Sequence, residues 1–396
     1  MSKAGKTWND PVFRYKDNYS GRWVTRLTDY RGHSSPLYFT NPCWLDDNFS
    51  FIFVSDRENN ANFFRYDLQT SAITQLTDLK GGAKPEGYYS PVNGAHYFWY
   101  GKILYELSLN TLELRPVYEA SDDFTPRGTL SVTADGKYVC TLLQSTEDVK
   151  PADDAVIGYS YSRFVELFER KPLTRVVRIE ITSGKMEVMH EDRCHMGHVN
   201  TSPVLPDLLT FCHEGPWLRV AQRLWGLDLS TGKVWKIRPQ DEQVAIGHEY
   251  WFTDGKTVGY HGRFRQNQGR QFYGYTKWDN TESCEFDFPF HCTHFASNDQ
   301  DLIVGDGTAY LPHPACAGYS RPFIMLFKRE GDHFVGPRIL AFHRSTFNDQ
   351  HAHPHPRFTP DGRYVMYSSD LTSYANIYLV EVGDFYDLPV LDADKA

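Results

Sequence analysis

Several absences narrow the class of this chain before any motif is read. No apolar run approaches the length that crosses a bilayer, and the opening Met1-Ser2-Lys3-Ala4-Gly5-Lys6-Thr7-Trp8 has no apolar stretch of the signal-peptide kind. A soluble, cytoplasmic protein without a membrane partner is expected. Basic residues are in deficit, with 41 Lys and Arg against 50 Asp and Glu and a formal net charge of -9. Nucleic-acid binders usually carry a basic surface, so no nucleic-acid partner is expected. A small anionic substrate stays open, because a local group of arginines reverses the field within one cleft. The 7 cysteines, at 43, 140, 194, 212, 284, 292 and 316, have no C-x-x-C spacing. Neither a disulfide framework nor a zinc ribbon follows from them, and free thiols in a reducing compartment fit. There is also no Gly-x-Ser-x-Gly elbow of the serine-hydrolase type.

What the chain has is a repeat hidden in its turns. Asn93-Gly94, Asp135-Gly136, Asp254-Gly255 and Asp361-Gly362 each precede an alternating apolar run such as Tyr364-Val365-Met366-Tyr367. Such dipeptides between strand-like runs are hairpin signals. Weaker copies at Asp46-Asp47, Pro206-Asp207 and Asp299-Gln300 bring the set to seven. Four of the six intervals fall near the roughly 40 to 50 residues of a four-stranded propeller blade. The two longer gaps hold insertions, a short amphipathic helix around 159–172 and a Pro/Gly-rich loop from Thr308 to Pro322. The expected fold is all-β, a single seven-bladed β-propeller over residues 1–396. Val24-Thr25-Arg26-Leu27-Thr28-Asp29 is a near twin of Ile73-Thr74-Gln75-Leu76-Thr77-Asp78, whereas the last blade runs out after Asn376-Ile377-Tyr378-Leu379-Val380-Glu381. The N-terminal strand is therefore expected to complete the last blade, which protects edges that a linear array exposes.

Chemistry concentrates in Gln350-His351-Ala352-His353-Pro354-His355-Pro356. Proline disfavours the α conformation of its predecessor, so His353 and His355 are expected in extended backbone with both rings on one face. Two imidazoles rarely suffice for a metal, and an isolated pair reads more simply as a solvated cluster. Propeller spacing supplies more: His248, His294 and His355 lie six, five and six residues before Asp254, Asp299 and Asp361, the same place in three consecutive blades. With His353 and Gln350 the cluster offers four or more nitrogen and oxygen donors. A donor set without thiolate suits Mn, Fe, Co, Ni or Zn and does not choose among them. Gln350 joins only if the backbone turns at His351-Ala352, because its strand parity is opposite to that of His353. His198 and His213, near inner-strand positions of the preceding blade, are candidate pocket residues or hydrogen-bonded core histidines. His313 and His190 are expected to face solvent.

Gln-x-x-His-Pro-His-Pro-x-Phe-Thr-Pro-Asp at 350–361, Cys-His-Glu-Gly-Pro at 212–216 and Val-Gly-Asp-Gly at 304–307 resemble the oligogalacturonate lyases of polysaccharide lyase family 22, over essentially the whole chain. The resemblance implies a cytoplasmic seven-bladed propeller that cleaves short oligogalacturonides by metal-assisted β-elimination, normally with Mn2+. It places the metal ligands on His294, Gln350, His353 and His355, the base on His248 and a substrate-binding arginine on Arg223. His33 falls in a substrate subsite, where Gly32-His33-Ser34-Ser35 departs from the family pattern. The C5 proton of a 4-linked uronate is acidic only because it is α to the carboxylate, so the developing enolate-like charge needs a Lewis acid and the proton needs a neutral acceptor such as imidazole. Without the resemblance, Arg223 reads as an ordinary strand-surface arginine and His248 as a fourth ligand or a packed histidine. Two other classes compete: a hydrolase built on a propeller scaffold, which the missing serine elbow weakens, and a propeller binding module with no chemistry.

Overall fold

The computed structural model describes residues 2–81, 85–149, 160–267, 270–288, 292–308 and 321–391. Its strands form seven antiparallel sheets, the seven blades of a β-propeller. Contacts gather into two compact units, Met1–Pro85 with Phe288–Ala396, and Glu86–Asp287.

The first unit carries blades 1, 6 and 7. In blade 7 the order runs Arg357–Phe358, Tyr364–Ser369, Asn376–Glu381, then the N-terminal strands Trp23–Arg26 and Phe13–Lys16. Val24 pairs with Val380 and Arg26 with Tyr378, so the N-terminal strand completes the last blade as expected. Blade 1 has an additional outer strand, Thr7–Asn9, beside Ala72–Gln75. The turns explain the repeat. At Asp361-Gly362 the Thr359 hydroxyl donates to Asp361 at 2.6 Å, and the Tyr364 amide donates back to Thr359. Gly362 takes a φ of 69°, which a side chain at that position resists.

The second unit carries blades 2 to 5. The Asp135-Gly136 turn repeats the same bonds, Thr133 to Asp135 at 2.7 Å and the Tyr138 amide to Thr133 at 3.1 Å. Tyr97, Leu104, Val139, Leu143, Val177 and Ile179 bury the contact between blades 2 and 3. Fully burying one such side chain stabilises by about 1.5–3 kcal/mol. The inserted helix spans Ser160–Arg170, with Lys171 at a φ of 48° ending it. The inserted loop expected at 308–322 lies outside the described residues apart from its ends, and His313 and Cys316 lie outside them altogether. His190 is half-buried against Phe211, at 5.4 Å between rings, and does not simply face solvent.

Among these buried side chains His96 carries a pH consequence. Its ring is fully buried in strand Ala95–Tyr100, and desolvation lowers its pKa to about 3. The unfolded chain, with a value of about 6.5, takes up that proton first. The stability His96 contributes is therefore whole above about pH 6.5 and is lost as the pH falls towards the folded value, at about 1.4 kcal/mol per pH unit. Urea midpoints recorded from neutral to acid pH are expected to fall more steeply for the native chain than for His96→Leu; parallel slopes contradict this.

Candidate active site

In the first unit three histidines converge. The segment before strand Arg357–Phe358 opens with a short 3-10 turn, Gln350–Ala352, whose His351 amide donates to the Asp349 carboxylate at 2.8 Å. The turn is the one that Gln350 needs to reach a metal, yet Gln350 is exposed and sits at its start. His353 is extended, with φ -74° and ψ 127°, as Pro354 requires. His355 is not: its φ is 42°, left-handed. The expected two-residue alternation therefore fails, and the rings meet because His355 pays a backbone strain of order 1–3 kcal/mol of the kind found at ligand clamps. The Ser368 amide bonds to the Pro354 carbonyl at 2.9 Å and fixes the segment on the next strand.

His294 comes from the start of blade 6. Ring centroids lie 4.2 Å apart for His294 and His355, and 5.5 Å apart for His353 with each of them. One donor nitrogen from each lies within 4.8 Å of the others. Asp306, fully buried, orients His294: its carboxylate accepts from the amides of Thr293 and His294 at 2.9 Å and from His294 Nδ1 at 2.5 Å. A carboxylate behind Nδ1 leaves Nε2 with a lone pair for a metal. His343 donates from Nε2 to the Asp306 carbonyl at 2.9 Å and braces that residue in turn. Burial, with help from His294, lowers His353 to about 4, so its ring is neutral at pH 7. His353 Nδ1 is buried without a hydrogen-bond partner among the described residues. Three imidazoles, a supporting carboxylate and no thiolate fit a catalytic divalent cation, since such centres keep a position open beside three protein ligands. Phe39 and Tyr38 line His355, and Phe347 lines His353. His33 stacks on His351 at 5.1 Å and accepts from the Ala375 amide, so it belongs to the edge of the same segment.

The second unit holds a separate polar cluster. Strands Met196–Thr201 and Val244–Trp251 each break register, between Gly197 and Asn200 and between Ile246 and Glu249. These bulges re-aim His198 and His248, whose rings stack at 5.7 Å. Glycine precedes each for a steric reason: a Cβ would lie 2.7 Å from Glu214 at Gly197 and 2.3 Å from Trp217 at Gly247. His248 also meets Trp217 and His261 edge to face at 5.6 Å. Arg223 is not a strand-surface arginine, being only 1% exposed. Its Nε donates to Glu249 at 3.0 Å and its Nη2 to Glu214 at 2.8 Å, while Nη1 has no partner among the described residues. Glu249 also faces His198 Nδ1 at 2.9 Å. Burial alone would raise the Glu214 carboxyl, but Arg223 and then His198 outweigh it and bring it down to about 2. Burial likewise opposes the charge on Glu249, and Arg223 again reverses the balance.

His213 is placed elsewhere. Cys212 and Glu214 turn towards Arg223, so strand alternation sends His213 to the opposite face, against Trp225 at 5.0 Å and beside Asp192 and Cys194. His213 and His198, both candidate pocket or core histidines, thus lie in different clusters. Asp306, Glu214 and Glu249 were missed as supports. The dipeptides Gly197-His198 and Gly247-His248, one blade apart, are the sequence signal for the two bulges.

A family model described as oligogalacturonate lyase matches residues 1–386. The chain belongs to the oligogalacturonate lyase family. An oligogalacturonide lyase of Pectobacterium atrosepticum is 28% identical over 378 residues, covering 93% of this chain and 96% of that protein. A solved oligogalacturonate lyase in complex with manganese is 26% identical, with a TM-score of 0.85 over 96% of this chain and 98% of that one. An oligogalacturonate lyase from Vibrio parahaemolyticus is also 26% identical, with a TM-score of 0.86 over 97% of this chain and 100% of that one. As in other members named for lyase chemistry, the question for this chain is which side chains carry it.

Glu249 gives the sharpest structural consequence within the family fold. Glu249→Ala leaves Arg223 buried with one carboxylate, and breaking a buried pair in this way costs about 3–5 kcal/mol. A urea melt is expected to show a loss of that size, whereas a loss below about 1 kcal/mol means that water enters and solvates Arg223.

Proposed function

We propose that this chain is a lyase that cleaves short oligogalacturonides by β-elimination with a divalent cation, Mn2+ by preference, and that the whole chain acts as one catalytic domain. The observation that carries the reading is the thiolate-free triad His294, His353 and His355 backed by Asp306. The triad would hold the cation, with Gln350 as a further oxygen donor. When bound, the cation supplies Lewis-acid stabilisation of the uronate carboxylate as charge develops on it. His248 takes the C5 proton on a neutral ring nitrogen. Arg223, with Glu214 and Glu249 fixing its plane, offers Nη1 to a second uronate carboxylate. His198 and His33 contact the substrate at the edges of their own clusters. No side chain is asked to form a covalent intermediate, and no water is consumed.

The substrate is a short anionic chain, and the net charge of -9 favours neither nucleic acid nor a long polyanion. No described helix is long and apolar enough to cross a membrane, and the six described cysteines are free thiols, in keeping with a cytoplasmic setting. Mass analysis of digalacturonate products tests the reaction type. Elimination yields galacturonate with a partner monomer lighter by one water; hydrolysis yields galacturonate alone and overturns the proposal.

A further inference from the structure

We propose a second metal site, unrelated to the histidine triad, formed by Asp192, Cys194 and His213 in the second unit. Asp192 lies in strand Met186–Arg193 of blade 3, Cys194 just beyond it, and His213 ends strand Leu208–His213 of blade 4. One carboxylate oxygen, the Cys194 sulfur and one imidazole nitrogen lie within 4.8 Å of one another. Bonds to the backbone hold two of the donors in place: Thr174 donates its hydroxyl to the Cys194 carbonyl at 2.7 Å, and the His213 amide donates to the Arg223 carbonyl at 2.9 Å. Two of the donor groups keep unused capacity. His213 Nε2 is buried without a hydrogen-bond partner among the described residues, and Asp192 accepts from the adjacent Arg193 amide on Oδ1 at 2.7 Å, which leaves Oδ2 for a cation.

The comparison with a neighbouring cluster is instructive. His198, Cys212 and Glu249 are equally close together, but Glu249 already serves Arg223 and His198, and Cys212 already donates to Glu214. That group is spent on internal bonds, whereas the Asp192 group keeps Asp192 Oδ2 and His213 Nε2. One thiolate, one imidazole and one carboxylate form the donor set of a borderline-soft cation of the zinc class, with water completing four-coordination. Binding releases the Cys194 proton to solvent, so affinity rises with pH. The bound ion would clip the outer strand of blade 3 to the second strand of blade 4, a structural role distinct from catalysis.

The triad contains no thiolate, so a sulfur-to-metal band reports on a cysteine site, and substitutions at Cys194 and Cys212 tell the two clusters apart. Full-length protein stripped with a chelator is titrated with Co2+ and followed by absorbance. A thiolate-to-cobalt charge-transfer band is expected, lost on adding Zn2+ and absent in Cys194→Ser, but retained in Cys212→Ser and in His353→Ala. Absence of the band from the native chain, or its survival in Cys194→Ser, overturns the proposal. Should Cys194→Ser fail to fold, Asp192→Asn at the exposed position is expected to weaken Co2+ binding by about tenfold in the same band. Unchanged affinity there overturns the three-donor site.

Discussion

Alanine at His353 is expected to release the catalytic cation and to lower kcat/KM for digalacturonate by about a thousandfold or more. The size follows from the several kcal/mol that a Lewis acid supplies to developing charge, each 1.4 kcal/mol being about tenfold in rate. The direction follows from geometry. His353 is one of three rings whose donor atoms share a 4.8 Å sphere, and its buried Nδ1 has no other described partner. Removing it leaves His294 and His355, and two imidazoles are a poor cage. Metal content after dialysis and kcat/KM should fall together. Retained metal with lost activity contradicts a ligand role for His353 and moves it to the substrate.

His248→Ala should separate those two readouts. Loss of a positioned proton acceptor costs about a hundredfold to ten-thousandfold in kcat, while metal content stays at the native level because His248 is absent from the triad. The surroundings of the ring favour that division. His248 stands on a bulge between Ile246 and Glu249 and packs among His198, Trp217 and His261. A decrease in metal content equal to that of His353→Ala recasts His248 as a ligand and leaves the base unassigned.

How much of this was legible in the residues depends on how local the physics is. Asp-Gly turns and two-residue alternation are written in adjacent positions, and the blades of Asp135-Gly136 and Asp361-Gly362 follow from them directly. The outer strands Thr7–Asn9 and Phe13–Lys16 were not legible because they are only three and four residues long and largely exposed. At the site, proline chemistry gave His353 its extended backbone but misjudged His355, whose left-handed φ is imposed by tertiary packing. The same limit hid Asp306, Glu214 and Glu249. A charged residue within a strand looks like a solvent-facing one until the partner it neutralises, from another strand, is known. Arg223 was assigned a role through resemblance, while its buried pairing with two glutamates explains how the fold tolerates it. His213 has the parity opposite to that of Cys212 and Glu214, which puts it on the other face of strand Leu208–His213.

The central claim is that elimination requires a cation held by the histidine triad. The most direct test follows the dehydrated monomer formed from digalacturonate by metal-stripped protein, before and after Mn2+ is restored. The account predicts no product before and full turnover after, with His353→Ala unresponsive at the same Mn2+ concentration. Equal turnover by the stripped protein, or recovery without the dehydrated monomer, contradicts it.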